Sequence, residues 1–154
     1  MKKIMTAIVL SYLALLASAS ANQGIAFIHG TGHQSDAYND YWTGDFVNSV
    51  RQGLSNSNKY TVINCDFDQF MWVEAAAGCL ANQLNSFIAN ENINSLVLLT
   101  HSNGGNVVRW ILSNPTYDSR YPGIINTTSK VIAIAPSSLG TPLADAATQG
   151  NIFE

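Results

Sequence analysis

One serine stands where the surrounding residues could make it a nucleophile. Ser102 follows the apolar run Ser95–Thr100 and precedes Asn103, Gly104 and Gly105. This order predicts a buried strand, a sharp turn and then a helix. A serine in such a turn has a strained backbone and a hydroxyl held clear of the sheet, beside the partial positive charge of a helix N-terminus. The pattern therefore predicts covalent catalysis by Ser102.

The residues on either side of Ser102 must let the strand and the helix come close together. Small residues are therefore expected two positions before and two positions after the serine. Gly104 meets this need on the helix side, whereas the larger, β-branched Thr100 stands on the strand side and makes the turn tighter. The alternative is that Ser102 is an ordinary helix N-cap, because Ser-Asn-Gly-Gly also suits a cap or a turn.

The elements that must position this serine alternate along the chain. Apolar runs read as strands and amphipathic runs as helices, in the order βαβαβαβ. Strands that are apolar on both faces and separated by helices predict an α/β fold, with a parallel sheet covered by helices on both faces. Functional groups then gather beyond the carboxyl ends of the strands. The predicted strands are 24–28, 60–65, 95–100 and 131–135, and the predicted helices are 42–54, 74–89, 103–113 and a start within 141–148.

Three segments, each at the end of a predicted strand, carry a family resemblance. They are Phe-Ile-His-Gly-Thr-Gly at 27–32, His-Ser-Asn-Gly-Gly at 101–105 and Gly-Thr-Pro-Leu-Ala-Asp at 140–145. In this order they resemble the α/β-hydrolase family, in particular its secreted bacterial lipase-like and esterase-like members. The resemblance implies hydrolysis of carboxylic esters through an acyl-enzyme on Ser102, without a metal or a cofactor. The implied partner is a small-molecule or lipid ester.

The resemblance also implies roles for residues beside the nucleophile. The backbone N–H groups of Thr31 and Asn103 would form the oxyanion hole. His29 and Gly30 would support the first of these donors, with His29 in a structural role. His101 is interpreted as a structural or pocket-wall histidine, because adjacent side chains on a tight turn point in different directions.

The family's catalytic acid and histidine do not match positions in this sequence. The family order is serine, then Asp or Glu, then histidine, with the last two on loops after further strands. No histidine follows His101, and Asp145 comes too early to be the usual acid. Two hypotheses remain open: a fragment of an active enzyme whose acid and histidine lie beyond Glu154, or a non-catalytic secreted binding module that keeps a relic hydrolase fold.

The beginning of the chain reads as a signal peptide. Lys2 and Lys3 precede the apolar run 4–17, and a small-residue cleavage site ends at Ala21. Cleavage there leaves 22–154 as one domain without a stable membrane anchor, secreted or periplasmic. The alternative is an uncleaved anchor, which needs roughly 20 apolar residues.

Charge and cysteine content narrow the class of protein further. The formal charge is −3 and the few basic residues are scattered, which argues against a nucleic-acid-binding protein. Cys65 and Cys79 are the only cysteines, and in an exported chain they predict one disulfide. The alternative is two buried thiols. Two cysteines at this spacing do not make a zinc site.

Four large apolar residues lie in or near predicted loops. Trp42, Phe70, Met71 and Trp72 could form the walls of an apolar acyl pocket, as a lipase-like site would need. The other interpretation is that they pack the core. The sequence leaves both interpretations open.

Overall fold

The computed structural model describes residues 21–53, 59–140 and 142. These residues form a sheet of four strands: β1 (Gln23–Ile28), β2 (Lys59–Val62), β3 (Ser95–His101) and β4 (Thr128–Ile134). All pairings are parallel, and the strand order across the sheet is β2-β1-β3-β4. The prediction of an α/β fold with a parallel sheet is confirmed.

Four α-helices connect or follow these strands. They are α1 (Gly44–Gln52), α2 (Cys79–Glu91), α3 (Gly104–Ser113) and α4 (Tyr121–Thr127). Single π-helical turns, Tyr38–Trp42 and Glu74–Gly78, precede α1 and α2. The start of a further helix predicted within 141–148, and the signal peptide, lie outside the described residues apart from Ala21 and Pro142.

Helices cover both faces of the sheet because successive strand side chains alternate between the faces. Ala26 and Ile28 of β1 lie in a core cluster with residues of α2, α3 and α4. Ile25 and Phe27 point to the opposite face, where Val47 of α1 packs against them. The predicted arrangement of helices on both faces is therefore confirmed.

Several element boundaries differ from the predictions. The first helix begins at Gly44 rather than at Trp42, because Thr43 has a φ of 61° and its hydroxyl accepts a hydrogen bond from Phe46 N–H. β2 ends at Val62. Beyond it, Asn64 Oδ1 accepts a hydrogen bond from Ala37 N–H, and the Asn64 carbonyl oxygen accepts one from Gln83 Nε2. Leu54, the predicted end of the first helix, lies outside the described residues.

Helix α4 was missed by the sequence analysis. Its first turn contains Pro122, and the preceding Arg120 forms ion pairs with Glu74 and Asp118. Hydrogen bonds from the Arg120 guanidinium lower the pKa of the Asp118 carboxyl to about 2. The ion pair between Arg120 and Glu74 therefore connects the start of α4 to the π-helical turn that precedes α2.

β4 is an edge strand of the sheet formed by the described residues. Val131, Ile132 and Ile134 are exposed apolar side chains on it. Its other edge pairs with β3 over six residues, with a register irregularity between Leu96 and Val97. β4 thus reaches the turn after β3 while its own apolar surface stays exposed within the described structure.

The predicted disulfide between Cys65 and Cys79 is confirmed. It joins the segment that follows β2 to the first residue of α2. Cys65 is buried, and its neighbour Phe67 belongs to the same core cluster. The disulfide therefore anchors the loop at the carboxyl end of β2 to a helix of the core.

Removal of the disulfide is expected to lower the free energy of unfolding by roughly 3 kcal/mol, since the bond constrains a loop of about 15 residues in the unfolded chain. Urea unfolding of the Cys65→Ser/Cys79→Ser variant checks this value. The oxidised and the reduced wild-type protein serve as controls, and the reduced protein should match the variant. Equal unfolding midpoints for all three samples would contradict this expectation.

Candidate active site

Ser102 lies in the turn between β3 and α3, beyond the carboxyl end of the strand. Its φ is +48°, in the left-handed region that non-glycine residues rarely adopt. Its N–H donates to the carbonyl oxygen of Ile134 at 3.0 Å, so the end of β4 holds this backbone. The hydroxyl is partly exposed and has no hydrogen-bond partner within the described residues. This geometry presents the hydroxyl to an incoming molecule.

Gly104 allows the first turn of α3 to touch the end of β1. A Cβ atom at Gly104 would collide with the carbonyl oxygen of His29. A Cβ at Gly105 would lie 3.3 Å from Oγ1 of Thr100, whose side chain is fully buried. Thr100 thus fits at the position where a small residue was expected, because glycine stands opposite it.

The loop after β1 reaches the same turn. A Cβ at Gly30 would lie 3.0 Å from the Cβ of Ser102. The N–H groups of Thr31 and Asn103, one on each side of this contact, donate no hydrogen bond within the described part of the chain. Two backbone donors near a serine hydroxyl could stabilise a negatively charged oxygen.

His29 is a buried histidine that fixes the peptide next to Gly30. Its Nδ1 lies 2.8 Å from the Gly30 carbonyl oxygen, and Cys65 N–H donates to its Nε2 at 3.3 Å. Since Nε2 accepts, the proton is on Nδ1 and is donated to Gly30; burial lowers the pKa of His29, which favours this neutral form. The trans peptide then directs Thr31 N–H away from His29.

A short segment after β2 joins the two loops of the site, and the sequence analysis missed it. Phe67 N–H donates to the carbonyl oxygen of Gly32, and the Phe67 carbonyl accepts from Asn103 Nδ2, both at 3.0 Å. The Phe67 ring also stacks on His29, with centroids 4.3 Å apart. An isolated phenylalanine two residues after Cys65 was the available signal, but its backbone contacts are not encoded in any motif.

The other two histidines do not bond to the Ser102 hydroxyl in the described structure. His101 Nδ1 forms a hydrogen bond with the hydroxyl of Tyr41, a residue that the sequence analysis did not single out. His33 is exposed and lies 3.9 Å from Asp66. A general base for Ser102 is therefore not in place within residues 21–53, 59–140 and 142.

The four apolar residues considered as pocket walls have different environments. Trp42 is buried in the core beneath α1, whereas Phe70 and Trp72 are exposed and stack on each other at 5.0 Å. Met71 lines a cavity of about 360 Å³ whose wall does not include Ser102. The core interpretation holds for Trp42, which is buried, and for Met71, which is partly buried and packs against the other core cluster. The other residues of this cavity are Asn106, Arg109, Trp110, Ser113, Asn114, Ser137, Ser138 and Gly140.

No group of three or more His, Cys, Asp or Glu side chains in the described structure is arranged to hold a metal ion. No helix among the described residues has the length and apolar character needed to cross a membrane.

The fold and the turn define an α/β protein with a serine between a parallel strand and a helix. Comparison with models of protein families gives no match, and no curated protein matches the chain. The identity of the site therefore has to be argued from its geometry.

Replacing Gly104 by alanine should destabilise the protein by about 1–3 kcal/mol, because the added methyl group overlaps the His29 carbonyl and forces α3 away from β1. Chemical denaturation measures the change. Gly123→Ala in α4 is the matched control, since its Cβ would make only an ordinary contact of 3.4 Å with Asn85. Identical unfolding midpoints for Gly104→Ala and wild type would show that the close approach is not needed.

The buried His29 should make stability depend on pH. Because its folded pKa lies below the ordinary 6.5, the unfolded chain binds a proton where the folded protein does not. The free energy of unfolding should therefore fall as the pH drops below about 6.5. His29→Phe, which keeps the ring stack, should lessen this fall. His33→Gln should keep most of it, because burial, and not the nearby His33, is the largest cause of the lowered His29 pKa. An unchanged pH dependence in His29→Phe would contradict the assignment.

Proposed function

We propose that Ser102 is the nucleophile of an exported serine hydrolase that acts on carboxylic esters. The observation that carries this proposal is the positive φ of Ser102 at the β3–α3 turn, with its hydroxyl unpartnered within the described residues. Backbone strain at a non-glycine residue persists only where the surroundings enforce it, and it concentrates at functional sites. A helix N-cap would not require this conformation.

The reaction follows from the groups around Ser102. As its oxygen attacks the ester carbonyl carbon, a C–O bond forms and negative charge develops on the carbonyl oxygen, near Thr31 N–H and Asn103 N–H. Collapse of this intermediate breaks the bond to the alcohol, which leaves with a proton, and the acyl group stays on Ser102. Water then releases the acid and restores the serine. In the α/β-hydrolases that the sequence resembles, a histidine paired with an acid takes the serine proton during the attack and passes it to the leaving alcohol. The proposal assigns these two roles to groups outside the described residues.

The proposed location of this activity is outside the cytoplasm. The disulfide between Cys65 and Cys79 is consistent with a secreted or periplasmic protein. The signal-peptide pattern that ends at Ala21 supports the same compartment. Substrates would then be esters met after export.

A second candidate is a secreted binding module that keeps the fold without turnover. The observation in its favour is that none of the histidines in the described segments bonds to the Ser102 hydroxyl. Serine without a base is a weak nucleophile at neutral pH. Such a module would hold an ester or a related ligand at the same turn.

Covalent labelling tests the nucleophile assignment. A fluorophosphonate probe should label the full-length protein, and Ser102→Ala should abolish the adduct, as judged by intact-protein mass spectrometry. Ser113→Ala, which removes an exposed serine hydroxyl at the last residue of α3, is the matched control and should label like wild type. Labelling that persists in Ser102→Ala would remove Ser102 from this role.

Turnover separates the two candidates. The hydrolase should release p-nitrophenol from short-chain p-nitrophenyl esters at a rate that depends on Ser102. The binding module should bind such esters, detected by protein fluorescence, without releasing the alcohol faster than Ser102→Ala does.

A further inference from the structure

We propose that the hydroxyl of Tyr41 is a third hydrogen-bond donor to the oxygen that becomes negatively charged during acyl transfer. This inference rests on the proposed role of Ser102 and adds a side-chain donor to the two backbone N–H groups. Tyr41 lies outside every motif that the sequence analysis used, and only the fold brings it to the site.

The position of the Tyr41 hydroxyl follows from the space around Gly30. A Cβ at Gly30 would lie 2.5 Å from the Tyr41 hydroxyl oxygen, 3.0 Å from the Cβ of Ser102 and 3.3 Å from Nδ1 of His101. Three groups from two separate segments, the turn that contains Tyr41 and the end of β3 with Ser102, therefore surround one point beside the nucleophile. The absent side chain of Gly30 leaves the phenol and the serine as neighbours there.

The ring of Tyr41 is held on several sides. It belongs to the π-helical turn Tyr38–Trp42 and makes edge contacts with His29 at 5.7 Å and with Trp42 at 5.4 Å between ring centroids. The residue is only partly buried. A donor fixed before the reaction stabilises developing charge without the cost of reorganising.

The hydrogen bond between Tyr41 and His101 affects the direction of the phenolic O–H bond, since the donor depends on which ring nitrogen of His101 carries the proton. When His101 carries its proton on Nδ1, this nitrogen donates to the Tyr41 oxygen, and the phenolic hydrogen is available for a bound oxygen. His101 then acts as a positioning residue. The step moves no proton from Tyr41: the phenol O–H bond stays intact while its hydrogen bond shortens as the substrate oxygen gains charge.

The neutral phenol suits an uncharged carbonyl that becomes an oxyanion. Backbone N–H groups and a tyrosine hydroxyl are all hydrogen-bond donors, and a donor binds a charged oxygen more strongly than a neutral carbonyl oxygen. They therefore favour the intermediate over the ester. The proposal therefore places Tyr41 in the reaction rather than only in substrate binding.

Tyr41→Phe tests the inference in the full chain. The second-order rate constant for labelling by a fluorophosphonate, whose phosphoryl oxygen takes the place of the oxyanion, should fall by about tenfold to a hundredfold. Tyr38→Phe is the matched control because its hydroxyl lies beside Gly44, 2.9 Å from where a Cβ of that glycine would be. Tyr38→Phe should label at the wild-type rate. Thermal unfolding of each variant establishes that the fold is intact.

A spectroscopic measurement separates donation from a structural effect. In the phosphonylated protein, loss of the hydrogen bond to the phosphoryl oxygen should move the ³¹P resonance upfield in Tyr41→Phe and leave it in place in Tyr38→Phe. Wild-type labelling rates and an unchanged resonance in Tyr41→Phe would overturn the inference while leaving Ser102 as the nucleophile. Labelling that does not depend on Ser102 would instead overturn the proposed function itself.

Discussion

The close approach of α3 to the end of β1 is the constraint on which the rest of the site depends. Gly104 lies against the carbonyl oxygen of His29, where any side chain would collide. This contact sets how sharply the chain turns between β3 and α3. The sharp turn requires Ser102 to adopt a φ of +48°. The N–H of Ser102 donates a hydrogen bond to the carbonyl oxygen of Ile134, the last residue of β4. The backbone at Ser102 is therefore held by contacts with both neighbours of β3 in the sheet, β1 and β4.

A second layer of contacts fixes the two loops that flank the serine. His29 holds the Gly30 carbonyl, and the side chain of Asn103 donates to the carbonyl of Phe67. Both His29 and Asn103 are hydrogen-bonded to the segment after β2, His29 to Cys65 and Asn103 to Phe67. The disulfide at Cys65 links this segment covalently to α2. The proposed oxyanion donors therefore depend on a covalent bond outside the loops that carry them, so contacts with the core hold these loops in place before a ligand binds.

The sequence predicted those parts of the molecule whose signals are local. The apolar runs ending at Ile28 and Thr100 marked buried strands, and glycines after Ser102 marked the turn, because periodicity and chain flexibility are read from neighbours in sequence. The sequence did not predict the contacts of Tyr41 and Phe67 at the site, because their partners are far away in the chain. Tyr41 contacts His101, 60 residues later, and Phe67 contacts Asn103, 36 residues later. Boundaries shifted where a side chain capped or interrupted an element, as the Thr43 hydroxyl does for α1.

The central claim is that Ser102, Thr31 and Asn103 form one constellation for a tetrahedral, negatively charged intermediate. The most direct measurement is a crystal structure of the protein after reaction with a phosphonate ester probe. The account predicts continuous density from Ser102 Oγ to phosphorus, with the phosphoryl oxygen about 3 Å from both backbone nitrogens. An adduct on another residue, or a phosphoryl oxygen turned to solvent away from both amides, would contradict it.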